Sequence, residues 1–309
     1  MTTAILLIGY NRWNLLEKRL LELAESHFET QSVYLSIDGL SKDDIDFHRK
    51  TRIANLENLV LPFTLSVIQR PSNLGCSNHI ITAVSEVLSL HERVIVIEDD
   101  VSISPFFISS MSEALLAVSK FEDVGTIGGF SNFHKRLHFP FIFRKNYWRK
   151  TKYFSAWGWG TTAEFWRKFE RISDIEDVEE YLSESSIWTN FSKRKQQIWL
   201  KRFSRGVWDF NLQLVLFKHE KLNLLPALRI IDNEGFSDDR STHTKHKRPG
   251  NLFGIGKSDI SPTKFKVVER SLFLKFFWGF VDSNLWAADG YFTSRGRTKG
   301  LRTRFREIF

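Results

Sequence analysis

The 309-residue chain has a single cysteine, Cys76. One thiol closes no intrachain disulfide and builds no cysteine-based zinc site. That excludes a small disulfide-stapled secreted scaffold and favours a reducing compartment. Proline (7) and glycine (17) are sparse, and no linker rich in either divides the chain. No apolar run reaches the roughly 18 residues that a membrane-spanning helix needs. Residues 271–286 come nearest, but polar positions interrupt them. Residues 1–8 lack a basic leader, so they read as a strand rather than a signal peptide. Acidic residues are outnumbered: 36 Asp and Glu against 44 Lys and Arg give a formal net charge of +8. The basic excess lies in the C-terminal half and ends in an arginine-rich stretch over 295–306.

Aromatic residues are abundant, with 28 Phe and 10 Trp. Such side chains fill cores, and they also line sugar and base sites and membrane interfaces. With 42% hydrophobic and 26% charged residues, the chain reads as soluble and globular, one large domain or two intimate ones.

Over residues 3–129 apolar segments alternate between two periods. Short β-branched runs at 3–8, 32–37, 63–69, 93–97 and 124–129 predict strands. Helical spacing at 13–24, 43–55, 77–90 and 105–121 predicts helices, the third capped by Ser77 or Asn78. This alternation predicts an α/β fold, a mainly parallel sheet with helices on both faces, whose ligands bind beyond the carboxyl ends of the strands. From about Phe130 the pattern changes. A basic aromatic segment (139–148) leads into Phe154-Ser155-Ala156-Trp157-Gly158-Trp159-Gly160. Helices follow near 162–172, 176–182, 193–203 and 209–219, with a strand pair at 222–225 and 228–231.

The fourth strand ends abruptly: Val94-Ile95-Val96-Ile97 runs into Glu98-Asp99-Asp100. Three adjacent carboxylates repel one another. One reading is a strand end with solvated acids. The other is an oxygen-only cation site suited to Mg²⁺ or Mn²⁺, ions that use one or two carboxylates and complete their shell with water and phosphate.

Val96-Ile97-Glu98-Asp99-Asp100-Val101-Ser102-Ile103-Ser104-Pro105-Phe106-Phe107 resembles the metal-binding segment of GT-A glycosyltransferases, in the Glu-Asp-Asp form of family-2-like and N-acetylglucosaminyltransferase-I-like enzymes of bacterial polysaccharide type. Further segments are similar in the same order: Ile8-Gly9-Tyr10-Asn11-Arg12, Leu35-Ser36-Ile37-Asp38-Gly39, Arg70-Pro71-Ser72-Asn73-Leu74-Gly75, Ser155 to Gly160, and Asn233-Glu234-Gly235-Phe236 through Ser241-Thr242-His243-Thr244. The resemblance spans about residues 3–245. It implies a Rossmann-like GT-A domain at 1–245, with a nucleotide-binding half (1–129) and an acceptor-side half (130–245). Residues 246–309 then form a basic, helical and aromatic extension.

The resemblance implies a metal-dependent transfer of a sugar from a nucleoside-diphosphate sugar to an acceptor hydroxyl, with inversion, in surface polysaccharide or glycolipid synthesis. Asp100 would hold Mn²⁺ or Mg²⁺, joined by His243. Asp99 would lie near the ribose and sugar, and Glu98 near the base or ribose. Gly9, Asn11 and Arg12 would meet the base, Asp38 the ribose or base, and Arg70 and Asn73 the nucleotide. Trp157 and Trp159 would stack on sugar. The general base would be Asp209, with Glu164 and Glu234 in reserve; as plain sequence, Asp209 also suits the cap of a helix at 210–219. Two competing readings are a sugar-phosphate nucleotidyltransferase, which would want a glycine-rich turn and a lysine after the first strand, and a basic nucleic-acid-binding protein, for which no module is present. No nucleic-acid partner is therefore expected. The expected partners are a glycan or glycolipid acceptor and an anionic membrane surface met by residues 270–309, in the cytoplasm or on the inner membrane face.

Overall fold

The computed structural model describes residues 3–26, 32–42, 44–118, 121–131, 146–172, 175–235, 262–267, 276–279 and 282. The first half alternates as its periodicity predicts: β1 (Thr3–Gly9), α1 (Trp13–Glu25), β2 (Ser32–Ile37), α2 (Arg49–Glu57), β3 (Leu65–Gln69), α3 (Gly75–Leu90), β4 (Arg93–Glu98), β5 (Val101–Ile103), α4 (Phe107–Val118) and β6 (Val124–Gly128). The second half adds β7 (Asn146–Thr151), β8 (Trp159–Thr162), α5 (Ala163–Trp166), α6 (Ile175–Tyr181), α7 (Ser186–Thr189), α8 (Lys193–Phe203), α9 (Trp208–Lys218), β9 (Leu222–Pro226), β10 (Ile231–Asn233) and β11 (Pro262–Val267).

Nine of these strands form one sheet in the order β11-β7-β9-β6-β8-β4-β1-β2-β3. β1 lies parallel to β2 and β4, and β2 to β3. β8 runs antiparallel between β4 and β6, so the sheet is parallel on one side and mixed on the other. Chain order goes outward from β1 to β3 and then returns to the other side of β1 for β4. The sheet therefore switches direction between β1 and β4, which opens a crevice at their carboxyl ends. Residues 98–100 follow β4 there, and residues 10–12 follow β1.

Strand alternation sorts the core onto two faces. Ile5, Leu7, Ile95 and Ile97 pack under α1, α2 and α4. Ala4, Leu6, Ile8, Val94 and Val96 pack under α3, α5 and α9. A third cluster joins α6, α7 and α8 to the outer side of α9 through Trp188, Trp199, Phe203 and Phe217. Gly9 has a packing reason: a Cβ there would collide with Leu16 of α1.

Three local expectations are corrected. The segments near 222–225 and 228–231 do not pair with each other. β9 enters the main sheet between β6 and β7, and β10 pairs with β5 in a separate two-stranded ribbon. Neither Ser77 nor Asn78 caps α3. Its first amides are capped from the turn after β2, where the buried Asp38 carboxylate accepts N–H bonds from Leu74 at 2.9 Å and Gly75 at 3.1 Å, as well as from its neighbour Gly39 at 2.9 Å. The end of the basic aromatic segment, for which the sequence pattern predicts no element, forms β7, with Asn146 and Arg149 buried in it.

Part of the expected C-terminal extension joins this sheet. β11 pairs with β7, Trp278 donates its indole N–H to the Tyr147 hydroxyl at 3.0 Å, and Asp282 accepts from buried Arg149 at 2.9 Å. Among the described residues no helix is long and apolar enough to cross a membrane.

One buried group reports on the α3–β2 contact. His79 of α3 sits 2.8 Å from the Ser36 hydroxyl of β2. Burial pushes its imidazole down from an ordinary 6.5 to about 4, with Asp38 opposing and Arg70 adding to the drop. Because the folded value lies below the unfolded one, the stability this histidine contributes is complete above pH 6.5. It falls as pH drops from 6.5 towards 4, as the unfolded chain takes up the proton. Denaturant titrations of wild type and His79→Gln should diverge over that window, by roughly 1.4 kcal/mol per pH unit. Parallel curves would show that His79 does not carry the acid limb.

Candidate active site

The switch-point crevice is built from the turn after β1 and the turn after β4. Register brings them side by side: Ile8 lies opposite Glu98, and the Asp99 amide donates to the Ile8 carbonyl at 3.1 Å. The same alternation that sorts the core divides the acidic triplet. Glu98 continues the Val94–Val96 face, towards α3 and α9. Asp99 turns to the α1 face.

On the α1 face the acids meet a cation of the chain itself. Arg12 donates from Nε to Asp99 Oδ2 at 3.0 Å, and Nη2 reaches Asp99 Oδ1. Nη1 and Nη2 both reach Asp100 Oδ2 at 3.2 Å. Asp99 is 3% exposed, so the pair is largely shielded from water. Burial lifts the Asp99 carboxyl to about 7, with Arg12 pulling it down and Asp100 pushing it up. At Arg12 burial opposes the charge, but Asp99 and Asp100 outweigh it and raise the guanidinium above its ordinary value. The forked contact to both Asp99 oxygens is the geometry of an ionised carboxylate.

On the other face, burial first, then Asp100, Asp99 and Asp209, raise Glu98 well above the usual carboxylate range. Asp209 lies in the first turn of α9, one residue past the start, and its Oδ1 accepts the Phe210 amide at 3.0 Å. Val207, not Asp209, is the N-cap. The start of α9 docks on the start of α3, where the Trp208 amide donates to Ser77 Oγ at 3.3 Å. Cys76, exposed at the start of α3, feels the same acids, whose charges push its thiol up.

A third segment roofs the site. The Glu234 amide donates to the Asp100 carbonyl at 2.7 Å, and a Cβ on Gly235 would collide with Asp100 Oδ2. Glu234 is anchored in turn to α1, with Lys18 Nζ at 2.8 Å and Arg19 Nη2 at 3.2 Å from its carboxylate.

The structure thus brings together Arg12, Glu98, Asp99, Asp100, Asp209 and the 234–235 segment. It gives other expected site residues structural partners. The Asp38 carboxylate is occupied by its three amides. Arg70 is held by both oxygens of Glu86, at 2.7 and 2.6 Å. Asn73 donates to the Gly39 carbonyl at 2.7 Å. Asn11 is partly buried in the turn before α1. Trp157 is half-buried, edge-on to Phe130. Trp159, expected to offer a sugar a flat face, is fully buried in β8 among Phe154, Trp166 and Trp208. Glu164 lies in the first turn of α5, where acids are favoured by the helix dipole. His243 lies outside the described residues. Sequence reasoning missed Gly235 and the Lys18–Arg19 anchor. Their only trace was a glycine beside an acid late in the resemblance.

The donor set fits a hard divalent cation in part. Two carboxylates converge on the point that the guanidinium fills, and both offer oxygen. Among the described residues no group of three or more His, Cys, Asp or Glu side chains is arranged to hold a metal. The protein would therefore supply part of a shell, as Mg²⁺ and Mn²⁺ sites completed by phosphate do.

No family model matches the sequence, and no curated protein does. Solved structures resemble it distantly. A mannosyltransferase, PcManGT of Pyrobaculum calidifontis in complex with GDP-Man and Mn²⁺, aligns over 71% of this chain and 68% of that chain at 12% identity and a TM-score of 0.42. TarS 1–349 of S. aureus aligns over 74% and 58%, at 14% identity and 0.40, so the chain spans less than two thirds of that protein. A UDP-glucose pyrophosphorylase complexed with UDP-glucose aligns over 75% and 93%, at 13% identity and 0.36. Likeness at this level carries no argument about activity, which has to come from the site.

The roof generates a double-mutant test. Gly235→Ala should destabilise the protein by about 1–3 kcal/mol through overpacking against Asp100. In an Asp100→Ala background the same change should cost less than about 0.5 kcal/mol, because the colliding carboxylate is gone. Additive effects in denaturant titrations would mean that Gly235 does not bear on Asp100.

Proposed function

We propose that this protein is a glycosyltransferase that moves a sugar from a nucleoside diphosphate to an acceptor hydroxyl. The observation that carries the reading is the division of acids at the β1/β4 switch point, with Asp99 and Asp100 gathered round a cation on one face and Glu98 and Asp209 facing each other's charge on the other. In this reading Asp100 would hold Mn²⁺ or Mg²⁺, and Asp99, expected near the ribose, would join it because one guanidinium gathers both carboxylates. When bound, such an ion offsets the negative charge that develops on the leaving diphosphate.

The chain's own residues do the rest. The acceptor oxygen attacks the anomeric carbon as the bond from that carbon to the diphosphate oxygen breaks, and the bonding pair leaves with the diphosphate. Asp209 takes the acceptor's proton as general base. A single displacement of this kind inverts the anomeric centre. His243 is a further candidate ligand.

The acceptor side is basic. Lys193, Arg194, Lys201 and Arg205 are exposed on and just after α8, and no acid occurs between 193 and 205. Arg205 precedes Asp209 by four residues. This supports an acceptor or surface of negative charge, as a phosphate-bearing glycolipid or an inner membrane leaflet would present. A sugar-phosphate nucleotidyltransferase would place an activating lysine after β1, where this chain has Tyr10-Asn11-Arg12.

A thermal-shift screen of UDP-, GDP-, dTDP- and CMP-sugars with and without Mn²⁺ tests the reading. At least one sugar nucleotide should stabilise the protein in a metal-dependent way, and Asp100→Ala should abolish the shift. Asp209→Asn should retain the shift while lowering transfer by about 10²–10⁴-fold. If no sugar nucleotide stabilises the protein, the transferase reading fails.

A further inference from the structure

We propose that Arg12 is a resident counter-ion that competes with the divalent cation for Asp99 and Asp100, so that cation and diphosphate enter the site together. The inference rests on the reading of these two acids as cation ligands.

The competition follows from the atoms involved. One guanidinium engages both oxygens of Asp99 and Oδ2 of Asp100. Among the described residues no other salt bridge reaches either acid. The Arg12 side chain is 17% exposed and the Asp99 side chain 4%, so the charges have little water to fall back on. A divalent ion binds carboxylate oxygens at about 2.0–2.1 Å, so at Asp99, both of whose oxygens the guanidinium engages, and at Asp100 Oδ2 it meets a positive charge already in place. Ion and Arg12 therefore compete for the two acids.

Entry of the cation alone is penalised. It must break a forked, shielded ion pair and leave a permanently charged guanidinium beside a new double charge. A diphosphate changes the exchange, because its oxygens form the same forked contacts that carboxylates do. Arg12 then passes from Asp99 and Asp100 to phosphate as the cation takes the acids. Cation and diphosphate favour each other's binding through this swap, and the coupling is reciprocal.

Arg12 sits at the N-cap of α1 without making a side-chain cap bond, so the helix does not need it there. Among the described residues its side chain is held by the two acids, while only its backbone carbonyl serves the helix start.

Mn²⁺ binding, read by electron paramagnetic resonance without any turnover, tests the proposal. Wild type should bind free Mn²⁺ weakly and tighten when inorganic pyrophosphate is added. Arg12→Gln should bind Mn²⁺ alone at least about tenfold more tightly, equivalent to about 1.4 kcal/mol. Should R12Q not fold, Arg12→Lys keeps the charge, loses the fork, and should still bind Mn²⁺ about threefold more tightly than wild type. Mn²⁺ binding that is equal in wild type and variants overturns the proposal and leaves the transferase reading standing. Absence of Mn²⁺ binding in every protein, with pyrophosphate present or not, overturns both the proposal and the metal-dependent reading.

Discussion

Like charge gathered at the end of a buried strand is the constraint on which the rest of this structure depends. β4 delivers three carboxylates to the crevice between itself and β1, and none of them is cheap to hold out of water. The chain answers with two devices. Strand alternation sends Glu98 and Asp99 to opposite faces, so the repulsion is shared between two environments. Arg12, at the matching end of β1, then neutralises the face on which Asp99 and Asp100 meet. Both devices need β1 and β4 as neighbours in parallel register, which is what the switch in strand order supplies.

The remaining architecture serves that crevice. The antiparallel run of β8 brings the Trp157–Gly158 turn to the carboxyl-end side of β4, because Trp159 at the start of β8 lies opposite Val96. The docking of α9 on α3 brings Asp209 towards Glu98 from the other side. The ribbon of β5 and β10 carries the chain back over Asp100, where a glycine is the one residue small enough for the contact. Acids thus reach one place from three parts of the sequence, at 98–100, 209 and 234.

Much of the first half was legible because its helices and strands carry strong periods: β2 has the predicted bounds, and β1, α1 and β4 differ by a single residue at one end. The site was legible as far as local pattern reaches, which includes Glu98-Asp99-Asp100 ending a strand and Asp209 opening a helix. What escaped depends on tertiary partners. Asp38 looks like a ribose or base contact until α3 arrives to use it as a cap. Trp159, set between glycines, looks exposed until Phe154, Trp166 and Trp208 close round it. β5 and β10 are three residues each, too short for any period to show. β7 hides because Asn146 and Arg149 are polar residues buried by specific partners rather than by hydrophobic pattern.

The Glu234 roof has a consequence for how the molecule is made. Arg12, Asp99 and Asp100 all lie within the first hundred residues, although Arg12 meets the two acids across 87 and 88 residues of chain. Glu234 and Gly235 are synthesised more than a hundred residues later. On the ribosome the acids and their arginine can therefore come together while their cover does not yet exist, with the whole cluster open to solvent. The internal ion pair spans that interval: once β1 and β4 have paired, Arg12 supplies the neutralising charge from within the chain.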